Sequence, residues 1–225
     1  DLARKNEELN KFDHVVSHDL KAPTRGISNV VQWIKEDTPG EIPSNVQKYL
    51  DIIPERLKRM ADLIDGLLEY ARIGRGKYPK EEVDVAMLVK DIGQAIVPKG
   101  FAFTVGDLPV IVTEKILLEQ VFSNLLSNAV KYTSPDNAQI LVTCREEDDF
   151  YEFAVADSGI GIEEQYHEKI FEMFQTLREQ HDAESTGIGL AIVKKIVEAN
   201  EGMVRVLSSL DRGAKFMFTW PKNEK

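Results

Sequence analysis

Residues 44–73 read SNVQKYLDIIPERLKRMADLIDGLLEYARI, with apolar side chains at Val46, Leu50, Ile53, Leu57, Met60, Ile64, Leu67 and Ala71. The steps between them alternate four and three, which keeps one stripe on one side of a helix, the seam of a coiled coil or helix bundle. Upstream, Leu9, Phe12, Val16, Leu20, Ile27, Val30 and Ile34 form a similar stripe. Between the two, Asp37-Thr-Pro-Gly-Glu-Ile-Pro-Ser44 supplies the stop and start signals of consecutive helices. Two long helices therefore form a hairpin. A lone hairpin of this size cannot bury both seams, so the pattern predicts a homodimer whose two hairpins make a four-helix bundle. Pro54 interrupts the second seam and predicts a bend there.

The pattern changes near residue 75. Gly74-Arg-Gly-Lys-Tyr-Pro79 reads as a linker, and a second domain is expected over 81–225 after a first over 1–76. Strands are expected near 101–105, 139–145, 150–157, 203–208 and 214–220, with helices near 86–97, 114–131 and 187–200. The fold class is thus α+β, a helical hairpin followed by an α/β sandwich. Up to Gly76 there are 12 basic and 13 acidic residues; beyond it there are 16 and 25, so most of the formal net charge of -10 belongs to the second domain. A chain this acidic lacks the broad attraction to phosphate backbones and anionic lipid, which argues against nucleic-acid or membrane contact. No apolar run reaches the roughly 20 residues that span a bilayer. The single cysteine, Cys144, lies in an alternating run and reads as a small strand residue, and a reducing, cytoplasmic setting is expected. Asp1 begins inside a helical pattern, which suggests a longer protein.

His18 lies roughly 160–200° around the first helix from Val16 and Leu20, taking about 100° per residue, and so points away from the seam. Pro23, five residues on, removes a backbone donor and crowds the Asp19 carbonyl, which makes the helix beside the histidine deformable. Asp19 is placed to orient the ring or accept its proton. His14 shares nearly the same face but lacks that proline context and reads as surface. His167 and His181 have no second ligand at metal-binding spacing.

Four segments of the second domain carry candidate ligand groups. In Asn124-Leu-Leu-Ser-Asn128-Ala-Val-Lys131-Tyr132, steps of four and three put two amides and an ammonium on one helical face, suited to Mg²⁺ and phosphate. In Asp157-Ser-Gly159-Ile-Gly161 a carboxylate ends an apolar strand beside two glycines that let backbone approach a ligand. Phe171-Glu-Met-Phe174 follows. In Thr186-Gly187-Ile-Gly189-Leu190 a glycine turn opens a helix whose free amides could hold phosphate oxygens.

Together these segments resemble the catalytic core of two-component sensor histidine kinases. Phe12 and Ser17-His18-Asp19-Leu20-Lys21-Ala22-Pro23 look like the H box, and Asn124 to Tyr132 like the N box. Asp157 to Gly161 resembles the first glycine box, Phe171 to Phe174 the F box, and Thr186 to Leu190 the second glycine box. Gly202 through Gly213-Ala-Lys-Phe216 and Pro221 is similar to the closing strands. The resemblance implies a dimerisation and phosphotransfer hairpin followed by a Bergerat-type ATP-binding domain. By position it implies that His18 accepts the γ-phosphoryl group of ATP with Asp19 as base, and that Asn128 holds Mg²⁺. Asn124 and Lys131 would lie near the phosphates, Tyr132 beside the nucleotide and Asp157 on the adenine amino group. Gly159, Gly161, Gly187 and Gly189 would allow close backbone contact. Residues 175–186 would form a lid whose Arg178 could pair with a phosphate, and Phe174, Thr186 and Leu190 complete the expected ATP site. The implied partners are a response-regulator receiver domain, whose aspartate takes the phosphoryl group from His18, and an upstream sensor domain.

This chain departs from the family pattern in two places. Ala22 stands where Thr or Asn often positions water for dephosphorylating the partner, and Ser185 stands where another glycine is usual. Hydrolytic relatives of the fold, the gyrase and heat-shock chaperone ATPases, place a water-activating Glu where this chain has Asn124, and an amide is a poor general base. The rival readings are an ATP-hydrolysing machine and a degenerate dimeric scaffold that signals by docking.

Overall fold

The computed structural model describes residues 23–36, 42–76, 78–136, 138–176 and 186–222. The chain divides into two compact units, Asp1–Arg75 with Thr176–Ile188 and Gly76–Gln175 with Gly189–Lys225.

In the first unit α1 is described over 23–36, and α2 spans Ser44–Arg72. At about 1.5 Å per residue α2 is roughly 43 Å long. It continues through Pro54, which cannot donate to the preceding turn. Val31 of α1 and Leu50 and Leu57 of α2 are buried. Lys35 Nζ reaches Asp51 Oδ1 at 2.7 Å, and Gln47 Nε2 donates to the same oxygen at 2.9 Å. The ion pair ties α1 to α2. The expected bend at Pro23 and the stripe from Leu9 to Leu20 involve residues 1–22, outside the described residues.

The second unit is a helical layer on a sheet. Its helices are α3 (Val85–Ile96), α4 (Lys115–Tyr132) and α5 (Gly189–Ala199), with α4 touching both others. The strands are β1 (Glu81–Asp84), β2 (Ala102–Val105), β3 (Val110–Thr113), β4 (Gln139–Glu146), β5 (Phe150–Asp157), β6 (Val204–Ser208) and β7 (Ala214–Pro221). Five of them make a mixed sheet in the order β2-β4-β5-β7-β6, where only β2 and β4 run parallel. The α/β sandwich expected from the sequence is present. Two strands were not foreseen: β1 and β3 pair antiparallel as a separate ribbon. Each is only four residues long, too short a run to separate from loop. The third helix also starts later than the expected 187, at Gly189, because Gly187 has φ +68, outside the helical region.

Aromatic residues fill the space between the layers. Phe122 of α4 meets Phe153 and Phe218 edge-on, with ring centroids at 5.6 and 5.4 Å. Trp220 is buried and its Nε1–H donates to Thr113 Oγ1 at 3.0 Å, which ties the ribbon to the sheet. Gly93 of α3 leaves the space filled by the Phe103 ring of β2, where a Cβ would overlap it. The Asp84 carboxylate accepts from Met87 N–H at 2.9 Å and caps α3.

Candidate nucleotide-binding site

The site is built where the C-terminal ends of β5 and α4 meet the β6–β7 hairpin. The apolar run of β5 is buried through Val155 and ends on Asp157, which is half-buried. Gly159 N–H donates to Asp157 Oδ1 at 2.8 Å, and Ala214 N–H donates to the same oxygen at 3.3 Å. Among the described residues Oδ2 makes no hydrogen bond, so one carboxylate oxygen is locked to backbone and the other is available. Burial raises the Asp157 pKa above its ordinary value, against the smaller lowering effect of the two backbone donors.

Glycine is required around it. A Cβ at Gly159 would overlap the Tyr132 carbonyl oxygen; one at Gly161, with φ +72, would overlap that of Ser209; one at Gly213, with φ +71, would overlap that of Asp157 itself. Backbone bonds complete the junction: Ile160 N–H to Tyr132 O at 3.2 Å, Gly213 N–H to Gly159 O at 2.9 Å and Asp211 N–H to Ile160 O at 2.7 Å. Tyr132, Asp157, Gly159 and Gly161 are thus brought together.

On α4, Asn124 Nδ2 donates to the Gln120 carbonyl at 2.9 Å. Its Oδ1 points at Gly189, where a Cβ would stand 2.6 Å away, so the first residue of α5 is held close to the Asn124 amide. Asn128, one turn on, is half-buried, and its side chain makes no hydrogen bond among the described residues. Lys131 Nζ lies 5.4 Å from the centroid of the Tyr132 ring. Leu190 is half-buried in the first turn of α5. Phe174 is 56% exposed in a left-handed conformation, with φ 66. Thr186 and Gly187, both half-buried, group with the first unit rather than with Gly189 and Leu190. His18, Asp19 and Arg178 lie outside the described residues.

Comparison with known proteins agrees in chain order. Residues 8–76 match the model of the His Kinase A (phospho-acceptor) domain, and residues 113–224 match that of the histidine kinase-, DNA gyrase B- and HSP90-like ATPase. The chain is a two-component histidine kinase catalytic core. It is 35% identical, over 98% of its length, to cyanobacterial phytochrome A of Nostoc sp. and 33% identical to the phytochrome-like protein Cph1 of Synechocystis sp.. It spans 29% and 30% of the lengths of those two relatives. Among solved structures, full-length ShkA in complex with AMPPNP superposes with a TM-score of 0.70 at 26% identity, covering 96% of this chain and 46% of that one.

Two features of the candidate site were not foreseen in the sequence. The Ala214 N–H arrives 57 residues after the carboxylate it serves, and only Asp-Arg-Gly213 between two apolar runs hints at a tight approach. Gln120 sits one turn before Asn124, and its buried Nε2 has no acceptor among the described residues. Its four-residue spacing from Asn124 and Asn128 was the available signal. Cys144 behaves as expected of a strand residue, since burial pushes its thiol up to about 11, far from reactive thiolate. His167 Nε2 lies 3.1 Å from the Ile162 carbonyl. Among the described residues no cluster of three His, Cys, Asp or Glu could hold a metal ion, and no helix is long and apolar enough to cross a membrane.

Proposed function

We propose that this chain autophosphorylates His18 with ATP and passes the phosphoryl group to an aspartate of a response-regulator receiver domain. The observation that carries the reading is a phospho-acceptor domain match enclosing His18, followed in the same chain by an ATPase match enclosing Asn124 to Leu190. In this reading residues 1–76 form the dimerisation and phosphotransfer domain and 81–225 the catalytic domain. Dimerisation is supported by the apolar side chains that the hairpin leaves in water. A cytoplasmic setting fits an ATP-consuming enzyme with one unpaired cysteine, and the input would come from an upstream sensor region.

Adenine recognition falls to the second Asp157 oxygen, which is an available acceptor for an exocyclic amino group while the first is fixed by two backbone donors. AMPPNP in ShkA supports a nucleotide here. The Asn128 amide is a neutral oxygen donor of the kind Mg²⁺ takes beside nucleotide phosphates. When bound, Mg²⁺ would neutralise charge on the phosphate oxygens. Lys131 adds a cation on the same helix. His18 attacks the γ-phosphorus through one ring nitrogen, the bond to the ADP oxygen breaks, and Asp19 accepts the proton from the other nitrogen. Gly159, Gly161 and Gly189 let the backbone segments around Asp157 and Asn124 close up, while Phe174, Tyr132 and Leu190 would border the nucleotide. Asn124 donates to a backbone carbonyl and has no basic group with which to activate water, so the histidine is the favoured acceptor.

Incubation with γ-labelled ATP and Mg²⁺ tests this. Acid-labile, base-stable label is expected on the parent and absent from His18→Ala and Asn128→Ala. Label that persists in His18→Ala moves the acceptor elsewhere, and steady phosphate release without labelled protein means hydrolysis instead.

A further inference from the structure

A groove of about 530 Å³ runs between β1, α3 and the first half of α4, well away from Asp157 in the sequence and made of none of the residues assigned above. Its floor is apolar, from Val83, Leu88, Ile92, Ala95 and Ile96, and Met87 stands on its rim at 62% exposure. Glu81, Glu82, Asp91 and Glu119 also line it, and among the described residues no ion pair neutralises any of the four. Lys115 is the single basic residue of the lining. Elsewhere in the same unit Glu146, Glu147 and Glu152 each have a basic partner. The apolar surface continues on β3, where Val110 and Val112, paired opposite Asp84 and Glu82, are 56% and 65% exposed.

Isolated exposed apolar side chains are ordinary, but an apolar channel edged by unpaired charge of one sign is a recognition surface. We propose that this groove docks a basic amphipathic helix of a protein partner. The occupant's apolar face would fill the channel, and its lysines or arginines would meet the four carboxylates. The 12 residues of α3 give a channel of about 18 Å, room for roughly three helical turns with anchors at i, i+4 and i+7. An acidic helix would meet like charge on both walls, and an anionic membrane or nucleic acid would be repelled by the same carboxylates.

The probe is a fluorescein-labelled 14-residue Leu/Lys helix with one apolar face, titrated into the full chain in 50 mM salt and followed by anisotropy. Saturable binding is expected, weakened at least tenfold by Met87→Lys and by Glu119→Lys and eroded by added salt. Glu163→Lys makes the same charge change at another exposed carboxylate and should leave binding unchanged. Circular dichroism confirms that each variant is folded. Equal loss in Glu163→Lys would reduce the effect to net charge and overturn the proposal. So would equal binding of a Leu/Glu peptide, or no saturable binding. If Met87→Lys instead weakens self-association of the chain in sedimentation equilibrium, the occupant is a second copy and the proposed partner is wrong.

Discussion

In α1 and α2, Ile27, Val30, Ile34, Met60 and Leu67 stand between 43% and 48% exposed, whereas in the sheet unit Phe122, Phe153, Phe218 and Trp220 are at 1% or less. Both regions are rich in apolar side chains; they differ in whether one chain can cover them. The sheet presents a whole face to three helices, so its aromatic cluster closes on itself. Among the described residues, two helices offer each other only one stripe, which buries Val31, Leu50 and Leu57 and leaves those other apolar side chains half exposed. On the proposed dimeric reading, the stability of the first region would depend on association, whereas that of the second rests on internal packing.

The largest expected effect attacks the second region directly. Phe122→Ala removes the ring that meets both Phe153 and Phe218 and should cost about 3–5 kcal/mol. Each region contains one tryptophan, Trp33 at 57% exposure in α1 and Trp220 at 1% in β7, so urea melts of Trp33→Phe and Trp220→Phe backgrounds read the regions separately. The loss should appear in Trp220 emission alone. A loss under about 1 kcal/mol, or an equal one at Trp33, would break the contrast.

Glycines sharpen it at intermediate scale. Gly74, after α2, and Gly161, beside Asp157, have φ +79 and +72, but an added Cβ meets nothing within 4 Å at Gly74 and overlaps the Ser209 carbonyl at Gly161. Gly74→Ala should cost about 1–2 kcal/mol, from the left-handed backbone alone. Gly161→Ala should cost more, since the β6–β7 hairpin must also shift, and thermal melts of the two variants compare them. Equal losses would mean that the close approach at Gly161 contributes nothing.

These contrasts also show what was legible in the sequence. The four-and-three spacing marked the two helices of the first unit because a helix repeats its faces locally, and the same periodicity put Asn124, Asn128 and Lys131 on one face of α4. Asp157 with Gly159 and Gly161 was legible because all three lie within one turn. What the residues could not reveal was pairing across long separations: Ala214 on Asp157, Ser209 on Gly161, and Thr113 under Trp220. The β1–β3 ribbon stayed hidden because Val110 and Val112 are exposed, so their apolar character signalled no buried face.

Two aspartates carry the comparison to its smallest effect, with opposite signs. In the hairpin the Asp51 pKa is lowered, first by the hydrogen bond from Lys35, while in the sheet unit burial raises that of Asp157. A lowered carboxyl stabilises the fold above its unfolded pKa, near 3.8, and loses that contribution as pH falls through the folded value. A raised carboxyl imposes no cost below about 3.8, where it is protonated in both states. As pH rises through its folded value it becomes a liability, because the folded state must then ionise a desolvated group. Asp51→Asn should therefore lower the melting temperature slightly at neutral pH, an exposed pair being weak, and the difference should vanish in acid. Asp157→Asn keeps an oxygen for the Gly159 and Ala214 donors and removes the buried charge, so at neutral pH it should melt at or above the parent, converging on it below about pH 3.8. Melting curves of both variants from pH 3 to 8 decide the matter. If Asp157→Asn is less stable than the parent at neutral pH, the two backbone donors outweigh burial, and the carboxylate would be stabilised in its site as Asp51 is on the hairpin surface.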